Sequence, residues 1–199
     1  NVSGSYDFVS LVPVMQNVLS QSLPSLIKQN DKELNNRREN DFKFDFTLEP
    51  QLELQPMFKL PVNVIYKTTI NGYVNESDGS FAVSLNAPYL QQGNKVIEST
   101  YVEAMKRSNE DNVKLKAQTI FPLKRGKTRV ELNGNAVNDR LDTDVSWRVM
   151  TDRTIKGTID LSTLFRRASD DALAVNINVN PTELVFNDTV WQVKPASVQ

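Results

Sequence analysis

Strict alternation of apolar and polar residues is the feature that most constrains the fold of this chain. In "FKFDFTL", which begins at Phe42, every second residue is apolar, and "ALAVNINV", which begins at Ala172, repeats the pattern. Successive side chains of a β-strand point to opposite sides of the sheet, so each such stretch has one apolar and one polar face. The pattern predicts an antiparallel sheet with one side in water.

Short turn sequences separate the alternating stretches. "NESDG", "RSNEDN", "NDR" and "TDRT" precede or follow such stretches, and Asn187-Asp188 divides the last one. Asn, Asp and Gly are the residues that tight hairpins favour. We count about eleven strands at a spacing of roughly 10–15 residues, without the spacing of βαβ units. Residues 41–199 are therefore predicted to form one antiparallel β-sheet region.

The one strong helical pattern lies at the start of the chain. Its apolar residues recur at steps of three or four, as in an amphipathic helix. They are Phe8, Leu11, Met15, Val18, Leu19, Leu23, Leu26 and Ile27. Asp7 or Ser10 is the expected N-cap, and Pro13 fits a first turn.

Pro24 interrupts this helical pattern. We expect a kink or a restart there, with Ser22 as the cap of the second helix, because proline is not tolerated in a helix interior. The polar stretch from Lys28 to Asp41 is predicted to be a helix tail or a linker. The predicted organisation is thus a helix and linker over 1–40, followed by the sheet region.

Composition excludes several kinds of site. The chain has no Cys and no His, so it has no disulfide, no thiolate metal site and no histidine base. Its 23 Lys and Arg residues nearly balance 24 Asp and Glu residues, which does not indicate a nucleic-acid partner. No Gly-rich phosphate loop or nucleophile elbow is present. We therefore predict no enzyme activity, no catalytic residue, no cofactor and no metal site.

Two charged motifs have alternative interpretations. Asp142 and Asp144 lie on one strand face with Asp139 nearby, and paired carboxylates can act in acid–base chemistry or bind a cation. Acidic residues on a wet strand face are the favoured interpretation. The basic run "KRGKTR" (Lys124–Arg129) can meet phosphate groups or anionic lipid heads, but a solvated turn around Gly126 is favoured.

The apolar face of the sheet is the main candidate site, because monomers rarely expose large contiguous apolar patches. A second half of the sheet, the N-terminal helix or a lipid would each cover it. A protein cover is favoured by the residue pattern alone. Trp147 and Trp191 are predicted to be core residues. The side chains predicted to line a lipid groove are Phe81, Val83, Leu85, Val113, Leu115, Val145, Trp147, Leu173, Val175, Ile177 and Val179.

The C-terminal third of the chain resembles a known family. "ALAVNINVNPTELVFNDTVWQVKPASV" combines an alternating strand, Pro181, the turn at Asn187-Asp188, Trp191 and Pro195. With the upstream "NGNAVNDRLDTDVSWRVMTDRTIKGTIDL", it is similar to the AsmA/TamB superfamily of envelope proteins in the form found in Bacteroidota. The specific similarity covers residues 129–199. In residues 41–124 only the strand type is similar, and residues 1–40 are compatible with the family without being diagnostic.

The resemblance implies a fold and a role. Proteins of this family are anchored in the inner membrane, span the periplasm and wind into a taco-like β structure with an apolar groove. They are linked to phospholipid movement between membranes and to outer-membrane protein assembly. The expected fold is all-β with one N-terminal amphipathic helix, as an elongated curved antiparallel sheet. The expected partners are phospholipid acyl chains and the outer-membrane assembly machinery or its clients.

The resemblance also implies that this chain is an internal piece, without the membrane anchor and the C-terminal domain. As a fragment it is expected to expose strand edges and to form an edge-to-edge dimer. Two alternatives stay open. One is a structural or adhesion-type β-sandwich that binds a protein partner, and the other is a glycan-processing enzyme that uses Asp142 and Asp144.

Overall fold

The fold is a single open antiparallel sheet with one helix against it. The computed structural model describes residues 1–29, 39–50, 62–124, 126–151, 153–169 and 172–198. Strands make up 66% of the structure, and the sheet contains 14 of them. The predicted class, all-β with one N-terminal helix, is confirmed.

The helix and strands are named here in chain order. The helix α1 spans Phe8–Ser22. The strands are β1 (Val2–Ser5), β2 (Asp41–Leu48), β3 (Asn63–Val64), β4 (Thr68–Asn75), β5 (Ser80–Gln92), β6 (Lys95–Lys106), β7 (Val113–Pro122), β8 (Lys127–Val137), β9 (Arg140–Met150), β10 (Ile155–Ser169), β11 (Ala172–Val179), β12 (Thr182–Phe186), β13 (Thr189–Val193) and β14 (Ala196–Val198).

Most strands pair with their neighbours in the chain, as in a meander. The order across the sheet is β1-β2-β4-β5-β6-β7-β8-β9-β10-β11-β14, while β3 pairs with β5, and β12 pairs with β10 and β13. The hairpin turns predicted from the sequence are confirmed. Two of them have positive φ at both turn residues, Asn138 and Asp139 in one and Asn187 and Asp188 in the other. Two-residue turns of this geometry match the twist of the flanking strands.

Two prolines break the last strands into collinear pieces. Along β10, the C-terminal half pairs with β11 and the first residues pair with β12. Pro181 lies between β11 and β12, and Pro195 lies between β13 and β14, which pairs with β11. Proline has no N–H to give to the ladder, so each strand is interrupted where it occurs. The predicted count of about eleven strands was too low because β1, β3 and β14 are too short to show alternation.

The helix differs from its prediction in its limits and its proline. Asp7 is the N-cap, and its side chain accepts a hydrogen bond from Val9 N at 3.1 Å. Pro13 is the sixth helical residue, beyond the first turn where it was expected. The helix ends at Ser22 because the residue before Pro24 avoids helical backbone, and Leu23 has φ −134°. Ile27 N donates to Leu23 O at 2.9 Å, so the predicted restart is a single turn.

Ser22 is not a cap of that turn, contrary to the prediction. Its hydroxyl donates to the carbonyl of Asp111, at 2.6 Å, in the turn between β6 and β7. The predicted linker lies largely outside the described residues, since 30–38 are not described. The sequence continues its alternation through Leu52 and Leu54, and Pro56 and Pro61 are predicted to interrupt strands there. This stretch also lies outside the described residues, in 51–61.

The core lies under the helix, at one end of the sheet. Its buried residues are Val18 of α1 and five sheet residues, each in a different strand. These are Phe42, Val74, Phe81, Val113 and Ala136. Leu11, Met15 and Leu19 of α1 pack against them, as does Leu23 just after the helix. The amphipathic stripe of α1 therefore faces the sheet, as its period predicts.

Candidate functional site

All of the predicted groove-lining side chains lie on one face of the sheet, called here the apolar face. Residues directly opposite each other in an antiparallel pair project to the same side. The register joins Leu85, Val102, Ala117, Leu132, Val145 and Ile159 in one row across β5 to β10. A second row joins Val113, Ala136, Leu141, Thr163 and Ile177 across β7 to β11. The remaining candidates alternate with these positions on the same strands.

The two ends of the apolar face differ. The closed end is the one covered by α1, with the turns at 76–79, 107–112 and 138–139. The open end carries the β5–β6, β7–β8, β9–β10 and β12–β13 connections. Phe81 and Val113 are buried at the closed end, whereas Leu115, two residues further along β7, is 36% exposed. The apolar face is therefore partly open to solvent away from the helix.

Other candidates occupy intermediate positions. Val83 packs against the core cluster, and Leu173, near the start of β11, is exposed. Half-buried candidates are Leu85, Val145, Trp147, Val175, Ile177 and Val179. Val102, which is not among the predicted candidates, is second in the first row and is 43% exposed. The sequence "YVEAMK" does not show to which face of the sheet Val102 projects. Its pairing with Leu85 shows that it belongs to the apolar face.

Buried Asn40 fastens the N-terminal end of α1. This side chain has no exposed area. Its Oδ1 accepts from Asp7 N at 2.8 Å, and its Nδ2 donates to Ser10 Oγ at 3.2 Å and to Glu76 Oε2 at 3.3 Å. Glu76 Oε2 also accepts from Asn40 N at 3.0 Å. These bonds join the start of the helix to the turn between β4 and β5, and each satisfies a group that burial would otherwise penalise.

Asp139 fastens the other end of the helix. Ser25, in the turn after α1, donates from N to Asp139 Oδ1 at 2.6 Å and from Oγ to Asp139 Oδ2 at 2.9 Å. Arg167 Nη2 donates to Ser25 O at 2.6 Å, and Asp139 N donates to Ser22 O at 3.0 Å. The helix is thus held at both ends by polar contacts and along its length by apolar ones. The helix therefore covers the closed end of the apolar face and is held in place there.

A buried lysine completes the closed end. Lys106 is 4% exposed and stands opposite Phe81 in the ladder. Its Nζ donates to Gly79 O at 3.3 Å, so the apolar stem lies over the core while the charge reaches a turn carbonyl. The neighbouring Asp78 has its pKa lowered, first by hydrogen bonding from Ser80 and to a smaller degree by the charge of Lys106.

An aromatic row crosses the apolar face near the open end. The register places Trp147 opposite Gly157, Gly157 opposite Leu184, and Leu184 opposite Trp191. A Cβ on Gly157 would meet the ring of Trp147 and lie 2.6 Å from Leu184 Cδ2. The two side chains therefore fill the space over the glycine. Trp147 is half-buried and lies outside the core cluster, and Trp191 is 61% exposed, so the prediction of both as core residues was wrong. The strand of Trp191 pairs only with β12.

The predicted carboxylates of β9 lie on the opposite, polar face. Asp142 accepts from Arg140 Nε at 2.8 Å, and Asp144 stands opposite Asp160 in the ladder. Asp139 is in the turn and holds Ser25 instead. Tyr101 lies on this face, where burial and then the nearby Glu103 raise its pKa. No cluster of three or more His, Cys, Asp or Glu residues suited to a metal ion occurs in the described residues.

In the basic run, Lys124 and Gly126 lie between β7 and β8, and Lys127 begins β8. Gly126 has φ +90°, and Leu123 N donates to Gly126 O at 3.0 Å. Lys127 Nζ pairs with Glu98 Oε2 of β6 at 2.7 Å. The predicted turn at Gly126 is present. The choice between a solvated run and one that meets anionic groups stays a prediction. Within the described part of the chain, no helix is long and apolar enough to cross a membrane.

Comparison with known proteins adds no relative. No family model, no curated protein and no solved structure matches the chain. The functional argument therefore depends on the geometry of the two faces.

Proposed function

We propose that the chain is a non-enzymatic piece of a TamB-like envelope protein, and that its apolar face holds phospholipid acyl chains. In the full-length protein it would lie in the periplasm, anchored to the inner membrane. It would serve phospholipid transport between the two membranes, the assembly of outer-membrane proteins, or both. The observation that carries this proposal is the continuous apolar face, open to solvent beyond a helix that closes one end.

Two side chains of the apolar face away from α1 are exposed. Val102 is 43% exposed and Leu115 is 36% exposed, and a contiguous apolar patch on a protein surface usually marks a binding site. Each acyl methylene removed from water contributes about 0.8 kcal/mol. A chain lying along the face would gain affinity from many such contacts without any specific polar bond. The first row has no charged side chain from β5 to β10, so a hydrocarbon chain lying along it would meet only apolar side chains.

Lipid content of the purified protein tests this function. The full chain is purified without detergent and examined by native mass spectrometry and lipid extraction. Near-stoichiometric phospholipid would support the proposal. A lipid-free monomer would contradict it, because the apolar face would then be stable in water or covered by the protein itself.

A second candidate function follows from the sheet edges. Two edges of the sheet are unpaired among the described strands. At one edge β1 pairs only with β2, and at the other β13 pairs only with β12 and β14 only with β11. Trp191 and Val190 on β13 are exposed. Unpaired edges with exposed apolar residues favour strand addition, to a second copy or to another protein. Light scattering of the lipid-free chain at increasing concentration distinguishes such a dimer from a monomer.

A further inference from the structure

We propose that the open end of the sheet docks on the surface of an anionic phospholipid bilayer. The contact is a basic rim, defined as Lys124, Lys127, Arg129, Arg148, Arg153 and Lys156, together with the exposed apolar residues beside it. This inference rests on the proposed function, since it gives the lipid-holding face a membrane to exchange with. The chemistry of the rim is nevertheless independent of whether lipid occupies the apolar face.

The rim brings cations from neighbouring strands into register. Arg129 of β8 stands opposite Arg148 of β9, which stands opposite Lys156 of β10. All three side chains are exposed, and none of them makes an ion pair with another described residue. Like charges directly opposite each other in a ladder are destabilising. An anionic surface laid against them would relieve that repulsion.

The charge of the chain is concentrated at this end. The described residues of the segments 120–131, 146–158 and 183–191 include six Lys or Arg residues against three Asp or Glu residues, a net charge of +3. The whole chain has a net charge of −1. The rest of the molecule is therefore negative, and an anionic bilayer would orient the open end towards itself.

Exposed apolar side chains border the same turns. They are Phe121, Leu123, Met150, Phe186 and Trp191. Phe121 and Leu123 flank the start of the β7–β8 turn, and Phe186 precedes the β12–β13 turn. Tryptophan and other large apolar residues beside cations are what the interface between water and lipid accommodates. In water alone these exposed side chains would contribute nothing to stability.

The spacing of the cations favours a surface over a single bound anion. Neighbouring strands lie about 4.8 Å apart, so Arg129 and Lys156, two strands apart, are separated by about 10 Å of backbone. Glu131 and Glu183 line the same shallow depression, of about 730 Å³. Carboxylates in its wall disfavour one buried phosphate, whereas headgroups spread across several turns reach the cations separately.

Vesicle co-sedimentation tests the docking. The full chain is mixed with vesicles of phosphatidylcholine alone and with vesicles containing one-third phosphatidylglycerol. We expect binding to the anionic vesicles that weakens as salt is raised, with a blue shift of tryptophan fluorescence. Equal binding to both vesicle types, or none to either, would overturn the proposal. If the folded chain binds neither kind of vesicle, the alternative partner for the basic rim is an acidic protein surface.

A matched pair of triple variants locates the contact. The rim variant Arg129→Gln, Arg148→Gln, Lys156→Gln removes three cations, and each cation near an anionic surface accounts for about fivefold in binding. We expect a loss on the order of 100-fold in the partition coefficient. The control Lys43→Gln, Lys116→Gln, Arg166→Gln removes three exposed cations from the same polar face away from the rim. Equal loss in both variants would overturn the assignment to the rim.

Lipid extraction separates this inference from the proposed function. The rim variant should retain co-purified phospholipid, because its substitutions are on the polar face. Vesicle binding by a chain that carries no extracted lipid would leave the docking intact and contradict the proposed function. Extracted lipid in a chain that does not bind anionic vesicles would support the proposed function and contradict the docking.

Discussion

At the scale of single residues, packing around Gly157 decides how the apolar face is built near the open end. The ring of Trp147 and the side chain of Leu184 lie over this glycine from either side. The gap that Gly leaves in a strand is thereby filled by its cross-strand neighbours. The row joins β9 to β12 and gives the broken last strands an apolar contact with the rest of the sheet.

Gly157→Ala should destabilise the fold. A Cβ at this position lies 2.6 Å from Leu184 Cδ2 and closer still to Trp147, so these side chains must leave their places. Overpacking of this kind costs about 1–3 kcal/mol in the free energy of unfolding, measured by urea denaturation. Adding Leu184→Ala should recover part of that cost, because it vacates space beside the new methyl group. A double variant that loses the full sum of both single costs would contradict this packing.

Tyr101 should give the alkaline end of the stability profile a dependence on pH. Burial, followed by the charge of Glu103, raises the pKa of Tyr101 in the folded state. A raised folded-state pKa adds stability that is present below the unfolded-state pKa and is lost as the pH rises through the folded-state pKa. Tyr101→Phe should therefore flatten the loss of stability in that alkaline window.

Substitution of the neighbouring carboxylate separates the two causes. Glu103→Gln should shift the phenolate absorbance of Tyr101 to lower pH without restoring the ordinary pKa, because burial is the larger cause. Glu183→Gln, on a distant strand, is the control and should leave the Tyr101 titration in place. A full return to the ordinary pKa in Glu103→Gln would show that burial contributes nothing.

At the scale of elements, α1 is the part that the sequence predicts as a helix but cannot place. Its period and N-cap are local, and Asp7 was expected as the cap. Its position depends on bonds between residues far apart in the chain, 33 residues for Asp7 and Asn40 and 114 for Ser25 and Asp139. No pattern within a window of sequence reports such pairs. The hairpins were predictable for the opposite reason, because Asn138-Asp139 defines its own turn.

The candidate site was predictable within each strand and not across strands. Alternation alone places Leu173, Val175, Ile177 and Val179 on one side of β11. It does not tell which side of the next strand joins them, because a shift of one residue reverses every side chain. Val102 was missed for this reason. The short strands β3 and β14 were missed because two or three residues show no period.

Asp139→Gly should loosen the C-terminal end of α1. Glycine keeps the positive φ of this turn residue and removes only the carboxylate that holds Ser25. Loss of two such bonds should raise the hydrogen-exchange rate of amides in the last turn of α1 and in residues 23–27. We expect about 10-fold or more, as local opening becomes easier by about 1–3 kcal/mol.

The neighbouring turn residue provides the control for this helix prediction. Asn138 also has positive φ and makes no contact with α1 among the hydrogen bonds of the described residues. Asn138→Gly should leave exchange in α1 unchanged. Equal exchange in both variants would show that Asp139 does not fasten the helix.

At the scale of the whole molecule, the two faces of one sheet differ in chemistry and in coverage. The apolar face is covered at one end by α1 and is partly exposed towards the open end. The polar face and the basic rim meet water and, by our proposal, a bilayer surface. A charge placed on one face should therefore act differently from the same charge placed on the other.

Leu115→Glu should displace lipid while the fold persists. Leu115 is 36% exposed on the apolar face, so a carboxylate there stays hydrated in the folded chain and repels a hydrocarbon. Lys116→Glu is the control, one residue away on the polar face of the same strand. We expect a several-fold loss of extracted phospholipid in Leu115→Glu alone, with circular dichroism of the sheet kept in both. Equal lipid content in the two variants would contradict the assignment of the face.

Photo-crosslinking at Val102 and Glu103 tests the central claim most directly. These adjacent residues of β6 project to opposite faces, and Val102 is 43% exposed on the apolar face. A photoreactive residue is introduced at each position in turn, the chain is irradiated in cells, and adducts are identified by mass spectrometry. The account predicts phospholipid adducts at position 102 and not at position 103. Absence of lipid at position 102, or equal adducts at both positions, would contradict it.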